Sequence, residues 1–383
     1  MPPRLPGTRE AERTPTERSS AAALEFRNVT KRYPGGDRPV LVDLSFKVPA
    51  GEICVLVGPS GCGKTTAMRM VNRMIDITEG DILLDGESVR KRPPAELRRH
   101  IGYVIQQIGL FPHLSIGDNI ATVPRLLGWD RKRVDARVEE LLEMISLPPE
   151  TRERYPAEVS GGQRQRVGVA RALAADPPLM LMDEPFGAID PITRERLQNE
   201  FLRLQQDIRK TIVFVTHDID EAIKMGDRIA ILREGGVLVQ FDTPERILAE
   251  PADDFVARFV GLDRGLKRLS LSTLSDLSLE AAETLPDGTP ASGRSDRGRV
   301  VFVDKAGRPV GRLGVHGEPE PIAACGEPHT SLRDALSLIM SDGNRPLVVV
   351  DADGAVAGLV RIEVIAGALA VGNGDPPAAE GSS

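Results

Sequence analysis

The stretch Gly58-Pro-Ser-Gly-Cys-Gly-Lys64-Thr65-Thr66 restricts this chain more than any other part of it. It fits the pattern G-x-x-x-x-G-K-[ST]. Before it, Glu52-Ile-Cys-Val-Leu-Val-Gly58 reads as a buried strand; after it, Ala67-Met-Arg-Met-Val-Asn-Arg-Met74 reads as a helix. Strand, glycine turn and helix together make a phosphate cradle, because glycines let backbone N–H groups curl around phosphate oxygens and the helix adds its positive end. Lys64 is placed to reach the terminal phosphates and the Thr65 hydroxyl to ligate Mg²⁺. The motif therefore commits the chain to an α/β fold.

Two further elements lie downstream. Leu179-Met-Leu-Met-Asp183-Glu184 is an apolar strand ending in adjacent carboxylates. Successive strand side chains point to opposite faces, so Asp183 and Glu184 are expected to divide their roles, one near the Mg²⁺ shell and the other facing the attacking water. Val159-Ser160-Gly161-Gly162-Gln163 opens a helix with Ser160 as N-cap. Taken singly, an acidic turn after a strand and a capped helix start are common local structures. Together with the cradle they read as one nucleotide site plus a second phosphate-binding helix start, and the latter implies a site shared between two copies.

With these elements in this order, residues 24–261 resemble the ATP-binding cassette (ABC) ATPases: a RecA-like core, an antiparallel β subdomain and a helical subdomain at about 108–160. The resemblance implies ATP and Mg²⁺ as ligands. Tyr33 then corresponds to the aromatic that stacks on adenine, and Gly58, Pro59, Ser60, Gly61, Cys62, Gly63, Lys64, Thr65 and Thr66 to the phosphate loop. Gln106 corresponds to the glutamine that touches Mg²⁺ and couples to the membrane partner. Ser160, Gly161, Gly162 and Gln163 match the signature motif, with Val159 in place of the commoner leucine. Asp183 is implied as a metal-associated residue with Thr65 and Gln106, Glu184 as catalytic base, Gly187-Ala-Ile-Asp190 as the D-loop, and His217 as the γ-phosphate switch. Lys64 joins Glu184 and His217 in the catalytic set. His217 alone would read as a surface histidine; its place directly after the buried run Thr211-Ile-Val-Phe-Val215 favours the functional reading.

Charge and composition narrow the partners. A net charge of −7 and 4% aromatic residues supply neither a basic face nor stacking platforms, which argues against nucleic acid. No apolar run approaches the roughly 20 residues needed to span a bilayer. Cys54, Cys62 and Cys325 offer no disulfide framework and fit a reducing compartment. Cys62, inside the loop, is expected to have a lowered pKa from the helix end.

Residues 1–23 and 373–383 read as disordered tails. Val134, Val138, Leu141, Leu142 and Ile145 follow helical spacing. Leu110, Phe111, Ile116 and Ile120, in a stretch with few charges, are expected to form a permease dock together with Gln106. Beyond the cassette, Val301-Phe-Val-Asp304-Lys-Ala-Gly307 recurs as Val348-Val-Val-Asp351-Ala-Asp-Gly354, 47 residues later. Each copy reads as a hairpin, and a helix capped by Ser331 precedes the second. Residues 265–372 resemble a tandem pair of α+β cystathionine-β-synthase-type (CBS) modules; two unrelated hairpins are the alternative. Arg361, Val364, Gly314 and Gly317 stand where nucleotide-binding modules carry Thr and Asp, which argues against adenosine binding there. Arg294, Arg297, Arg299, Lys305, Arg308 and Arg312 form a local basic cluster, either an anionic-membrane sensor of ionic strength or a solvated hairpin.

A cassette followed by such modules is similar to the ATPase subunits of glycine betaine, carnitine and choline importers. That similarity implies a homodimer on the cytoplasmic membrane face, held by integral-membrane permease subunits and served indirectly by a substrate-binding protein. An importer ATPase for another solute, or a non-transport ABC ATPase, is the alternative.

Overall fold

The computed structural model describes residues 21–105, 109–187, 189–290, 297–314 and 318–370. The chain divides into two compact units, one running through Phe241 and the other starting at Asp242.

The first unit is built on two sheets. Strands β1 (Leu24–Lys31), β2 (Leu41–Val48), β4 (Glu79–Leu84) and β5 (Glu87–Ser88) form an antiparallel sheet in the order β2-β1-β4-β5. Its inner face carries Leu24, Phe26, Leu44, Phe46 and Ile82, with Phe26 and Phe46 stacked at 4.6 Å between ring centroids. The other sheet contains β3 (Ile53–Val57), β6 (Ile101–Val104), β7 (Leu179–Asp183), β8 (Thr211–Val215), β9 (Arg228–Arg233) and β10 (Val237–Asp242), in the order β10-β9-β3-β8-β7-β6. The pairs β3–β8, β3–β9, β7–β8 and β6–β7 are parallel. β3, β7 and β8 are buried at every residue, as a sheet covered on both faces requires. Burying each large side chain there contributes roughly 1.5–3 kcal/mol.

Helices α1 (Lys64–Val71), α2 (Pro94–Arg99), α5 (Gly161–Leu173), α6 (Pro191–Ile208) and α7 (Ile219–Met225) accompany the sheets. Between β6 and β7 lie α3 (Ile116–Leu126) and α4 (Arg131–Met144), capped by Ser115 and Asp130. Val134, Val138, Leu141, Leu142 and Ile145 are all buried, as their spacing predicts. The expected N-terminal tail includes residues that the fold uses. Ala22 is buried and donates its N–H to the Pro178 carbonyl, and Ala23 donates to Asp85 Oδ1 at 2.7 Å. The remaining tail residues, 1–20 and 373–383, lie outside the described residues.

In the second unit, α8 (Pro244–Ala249), α9 (Asp254–Val260) and α10 (Arg264–Leu269) precede the repeat. α10 packs against α8 and against two later helices, α11 (Leu332–Ser341) and α12 (Ile362–Ala370). This packing groups the chain from Asp242 with the repeat, whereas the sequence reading extends the cassette to 261. One sheet holds β11 (Glu283–Pro286), β12 (Val300–Val303), β13 (Pro309–Leu313) and β14 (Pro319–Glu320); the other holds β15 (Cys325–Gly326), β16 (Leu347–Val350) and β17 (Val356–Val360).

The two hairpins match bond for bond. Val301 pairs with Arg312 and Phe302 with Gly311; in the second, Val348 pairs with Leu359 and Val349 with Gly358, and each ladder slips at its next step. Each turn is closed by Asp304 or Asp351, whose N–H groups donate to Arg308 O and Ala355 O. Val301, Val348 and Leu359 share one small core. The basic cluster does not stay together as an exposed patch. Arg312 is buried against Asp342, Arg308 pairs with Asp304 at 3.1 Å, and Arg294 lies outside the described residues. Arg361, where nucleotide-binding modules carry Thr, pairs with Glu280 at 3.0 Å.

Candidate functional site

The C-terminal ends of the neighbouring parallel strands β3, β8 and β7 bring the site together, where open α/β sheets bind ligands. Register partners Asp183 and Val215 mark that edge. From β3 the chain enters the loop 58–63, with Gly58, Gly61 and Gly63 all at positive φ. Gly63 is the N-cap of α1 at φ 97 and supplies no side-chain cap, so the first N–H groups of α1 are left to a ligand. A Cβ at Gly63 would stand 2.6 Å from Leu41 Cδ2 and 2.9 Å from the Val40 carbonyl, so only glycine fits. Lys64 is buried; its Nζ donates to Gly58 O at 2.7 Å and Pro59 O at 3.0 Å, which keeps the ammonium along the loop. Ser60 and Gly61 are exposed at the loop's tip, and Thr66 is half-buried in the first turn of α1.

Thr65 and Asp183 meet: the Thr65 hydroxyl donates to Asp183 Oδ1 at 3.1 Å. Adjacent oxygens around an octahedral Mg²⁺ with ~2.1 Å bonds stand about 3.0 Å apart, so this pair fits two places in such a shell. Among the described residues no trio of His, Cys, Asp or Glu gathers into a metal site. Burial holds Asp183 above the ordinary carboxylate range, against the pull of the Thr65 hydrogen bond and of Arg69. Arg69, whose guanidinium lies 3.9 Å from Asp183, is a residue the sequence reading missed. Its signal was available, since it stands one helical turn after Thr65 and so shares its face.

Glu184 and His217 also meet, His217 Nδ1 standing 3.1 Å from Glu184 Oε1. The expected divergence of the two carboxylates is present, but its cause differs from the pleat alternation. β7 ends at Asp183, and Glu184 turns away because its backbone is left-handed at φ 44. That turn is held by Glu184 N–H donating to Val215 O and by Gly187 N–H donating to Glu184 O.

Ser160 caps α5 in a reciprocal box: its hydroxyl accepts from Gln163 N at 3.2 Å, and Gln163 Oε1 accepts from Ser160 N at 2.9 Å. Gly161 and Gly162 form the first turn. Tyr33 lies just past β1, 41% exposed, with Lys31 Nζ 5.0 Å from its ring centre. Gln106 lies outside the described residues, as does Ala188 of the Gly187–Asp190 run.

Two expectations are corrected. Cys62 is fully buried, and desolvation raises its thiol pKa despite neighbouring Lys64, so it is not the acidic, oxidation-prone thiol expected. Of the apolar residues assigned to a permease dock, Ile116 and Ile120 are buried in the helical layer, which leaves the exposed Phe111 and the half-buried Leu110. Gly117 beside them is buried as well, and a Cβ there would press on the Arg152 side chain. No helix among the described residues is long and apolar enough to cross a membrane.

The profile of the ABC transporter family matches residues 41–187. The chain is 44% identical over 370 residues to the osmoprotectant import ATP-binding protein OsmV of Salmonella typhimurium, covering 91% of this chain and 97% of that one. It is 50% identical over 274 residues to the glycine betaine/carnitine/choline transport ATP-binding protein OpuCA of Bacillus subtilis, covering 72% of this chain and 70% of that one. Among solved structures, the dimeric ATP-binding cassette MJ0796 in a post-hydrolysis state bound to ADP and Pi superposes with a TM-score of 0.51 at 32% identity, over 58% of this chain and 98% of that one. With the phosphate loop, the Thr65–Asp183 pair and the Glu184–His217 pair joined at one sheet edge, and with likeness running through both units, this chain belongs to the ABC transporter family, among the ATP-binding subunits of osmoprotectant importers.

Proposed function

We propose that the chain is the ATP-hydrolysing subunit of an importer for quaternary-amine osmoprotectants of the glycine betaine, choline and carnitine class. The observation that carries the reading is the convergence of Thr65–Asp183 and Glu184–His217 on the strand ends beside Lys64. Phosphoryl transfer to water needs charge neutralisation and positioning above all. Lys64 and the N–H groups of the 58–63 loop take the phosphate charge, and Glu184 accepts the proton of the attacking water. His217, fixed by Glu184, faces the terminal phosphate. Thr65 and Asp183 would hold Mg²⁺, which neutralises and orients the phosphates when bound, and Gln106 belongs to the same set. Tyr33 stacks on the base.

Ser160–Gln163 of one copy completes the site of another, so the working unit is a homodimer. It drives permease subunits at the cytoplasmic membrane face, with the exposed Phe111 ring as part of the dock and a binding protein delivering the solute. The second unit reads as a pair of CBS-type modules, supported by the bond-for-bond repeat, and it regulates transport. Arg361, paired with Glu280 where nucleotide-binding modules carry Thr, argues against adenosine as its ligand.

Glu184→Gln tests the base. Turnover should fall about 10²–10⁴-fold, the usual share of general base catalysis. ATP binding should persist, and a nucleotide-bound dimer should accumulate in size-exclusion chromatography. Wild-type turnover by this variant would overturn the assignment. Solute identity is tested by reconstituting the chain with its permease and binding protein and asking whether glycine betaine or choline stimulates ATP turnover.

A further inference from the structure

Glu221 is a buried acid outside the nucleotide set, 9% exposed, in the first turn of α7. Its Oε1 accepts from Gln198 Nε2 of α6 at 2.9 Å, and Gln198 is itself 5% exposed. The Thr216 hydroxyl draws the Glu221 carboxyl toward its ionised form, and its oxygen accepts from Asp218 N at 3.1 Å. Thr216 and Asp218 flank His217. Thr216 is 2% exposed and donates its N–H to Leu56 O, at the end of β3. Asp218 in turn caps α7 by accepting from Asp220 N and Glu221 N. Of the two neighbours of His217, Thr216 thus lies against the Glu221 carboxylate and Asp218 is tied to the Glu221 backbone, while the His217 ring is exposed and touches Glu184.

The same carboxylate looks toward the start of α6. Arg194, one turn before Gln198, exerts an attractive field on Glu221 and donates from Nη2 to the Ile189 carbonyl at 3.0 Å, inside the Gly187–Asp190 run. Asp218 opposes it with a like charge. A buried carboxylate is costly unless its hydrogen bonds are made, so a site that needs only a stable helix start has cheaper solutions.

We infer that Glu221 is a positioning residue: through Thr216 and Gln198 it fixes the loop carrying His217 in register with α6 and the Gly187–Asp190 run. It touches no reacting atom. The inference rests on His217 acting in hydrolysis, as proposed above. Displacement of a catalytic group by about 1 Å can cost up to 10²-fold in rate, so losing this tether should lower kcat rather than ATP affinity.

The test uses the full chain with MgATP, measuring kcat, the ATP KM and the melting temperature of Glu221→Ala, Thr216→Val, Thr216→Ser and His217→Ala. Expected are kcat values about 10- to 100-fold lower for Glu221→Ala and Thr216→Val, with KM little changed. Thr216→Ser, which keeps the hydroxyl, should recover most of the rate; a purely structural role would give no such split. Wild-type kcat in Glu221→Ala and Thr216→Val beside a slow His217→Ala would overturn the inference alone. So would a joint fall of kcat, affinity and melting temperature that Thr216→Ser fails to repair. A fully active His217→Ala would remove the underlying reading and the inference with it.

Discussion

Two helix starts in the first unit are those proposed to carry the phosphate chemistry, and they are built in opposite ways. α1 opens at Gly63, in the left-handed region and with no side chain to turn back on its own N–H groups. α5 opens at Ser160, whose hydroxyl and backbone are both engaged with Gln163 in a closed box. Each helix end has orphan donors that need partners. At α1 the ligand is the natural partner; at α5 the chain already supplies part of the answer. In the proposed dimer the first is therefore a cradle left open for the chain's own nucleotide. The second is a helix end closed by its own capping box, which in the proposed dimer a partner's nucleotide engages without the fold depending on it.

The comparison can be broken most sharply at Lys64. Lys64→Ala removes the charge that serves the cradle, and ATP affinity should fall about 10- to 100-fold, the worth of a charge-assisted hydrogen bond of 1.5–3 kcal/mol. Turnover should disappear with it, while thermal stability stays near that of the parent. Retained ATP affinity in a fluorescent-nucleotide titration would show that the loop backbone alone holds the phosphates.

Gly63→Ala tests the geometry of the same start. The added Cβ meets Leu41 and Val40 in a backbone region costly for L-residues, so chemical denaturation should show a loss of about 1–3 kcal/mol, and nucleotide binding should weaken as well. At the other start, Ser160→Ala opens the box. A loss of about 1 kcal/mol in stability is expected, with the ATP affinity of the isolated chain unchanged and hydrolysis reduced. If Ser160→Ala leaves stability untouched but weakens ATP binding by the single chain, the contrast between the two starts is wrong.

The smallest effect concerns pH. Burial keeps Asp183 protonated in the folded chain to a higher pH than in the unfolded chain. Between the ordinary carboxylate value and the raised one the folded state binds more protons, so stability falls as pH rises through that window. Asp183→Asn should flatten that slope in Mg²⁺-free melting curves, and a slope unchanged in the variant would assign it to another group.

Much of this was legible from sequence because the informative parts are local. The cradle is one strand, one turn and one helix in succession, and the buried runs at 53–57, 179–183 and 211–215 announce a covered sheet. The repeat was legible too, since a fixed offset carries strand, Asp-closed turn and strand together. What escaped depends on contacts between segments distant in the chain. Gln198 and Glu221 are unremarkable on their own helices and matter because those helices pack. Cys62 was misjudged because sequence places it beside a lysine and a helix end, while the surrounding strands decide its desolvation. Ile116 and Ile120 looked like a docking surface for the same reason: an apolar face does not say whether its partner is the chain itself.

The left-handed backbone at Glu184 has a consequence on the timescale of descent. Glutamate is not the residue that conformation prefers; glycine and asparagine adopt it more readily, and an L-residue gives up about 1–2 kcal/mol there. With Glu184 as the base proposed above, the position is held by function against the local preference of the chain. On that role, a descendant relieved of ATP hydrolysis would gain stability by drifting to glycine or asparagine at this point, so the residue found there would mark whether a copy keeps its base.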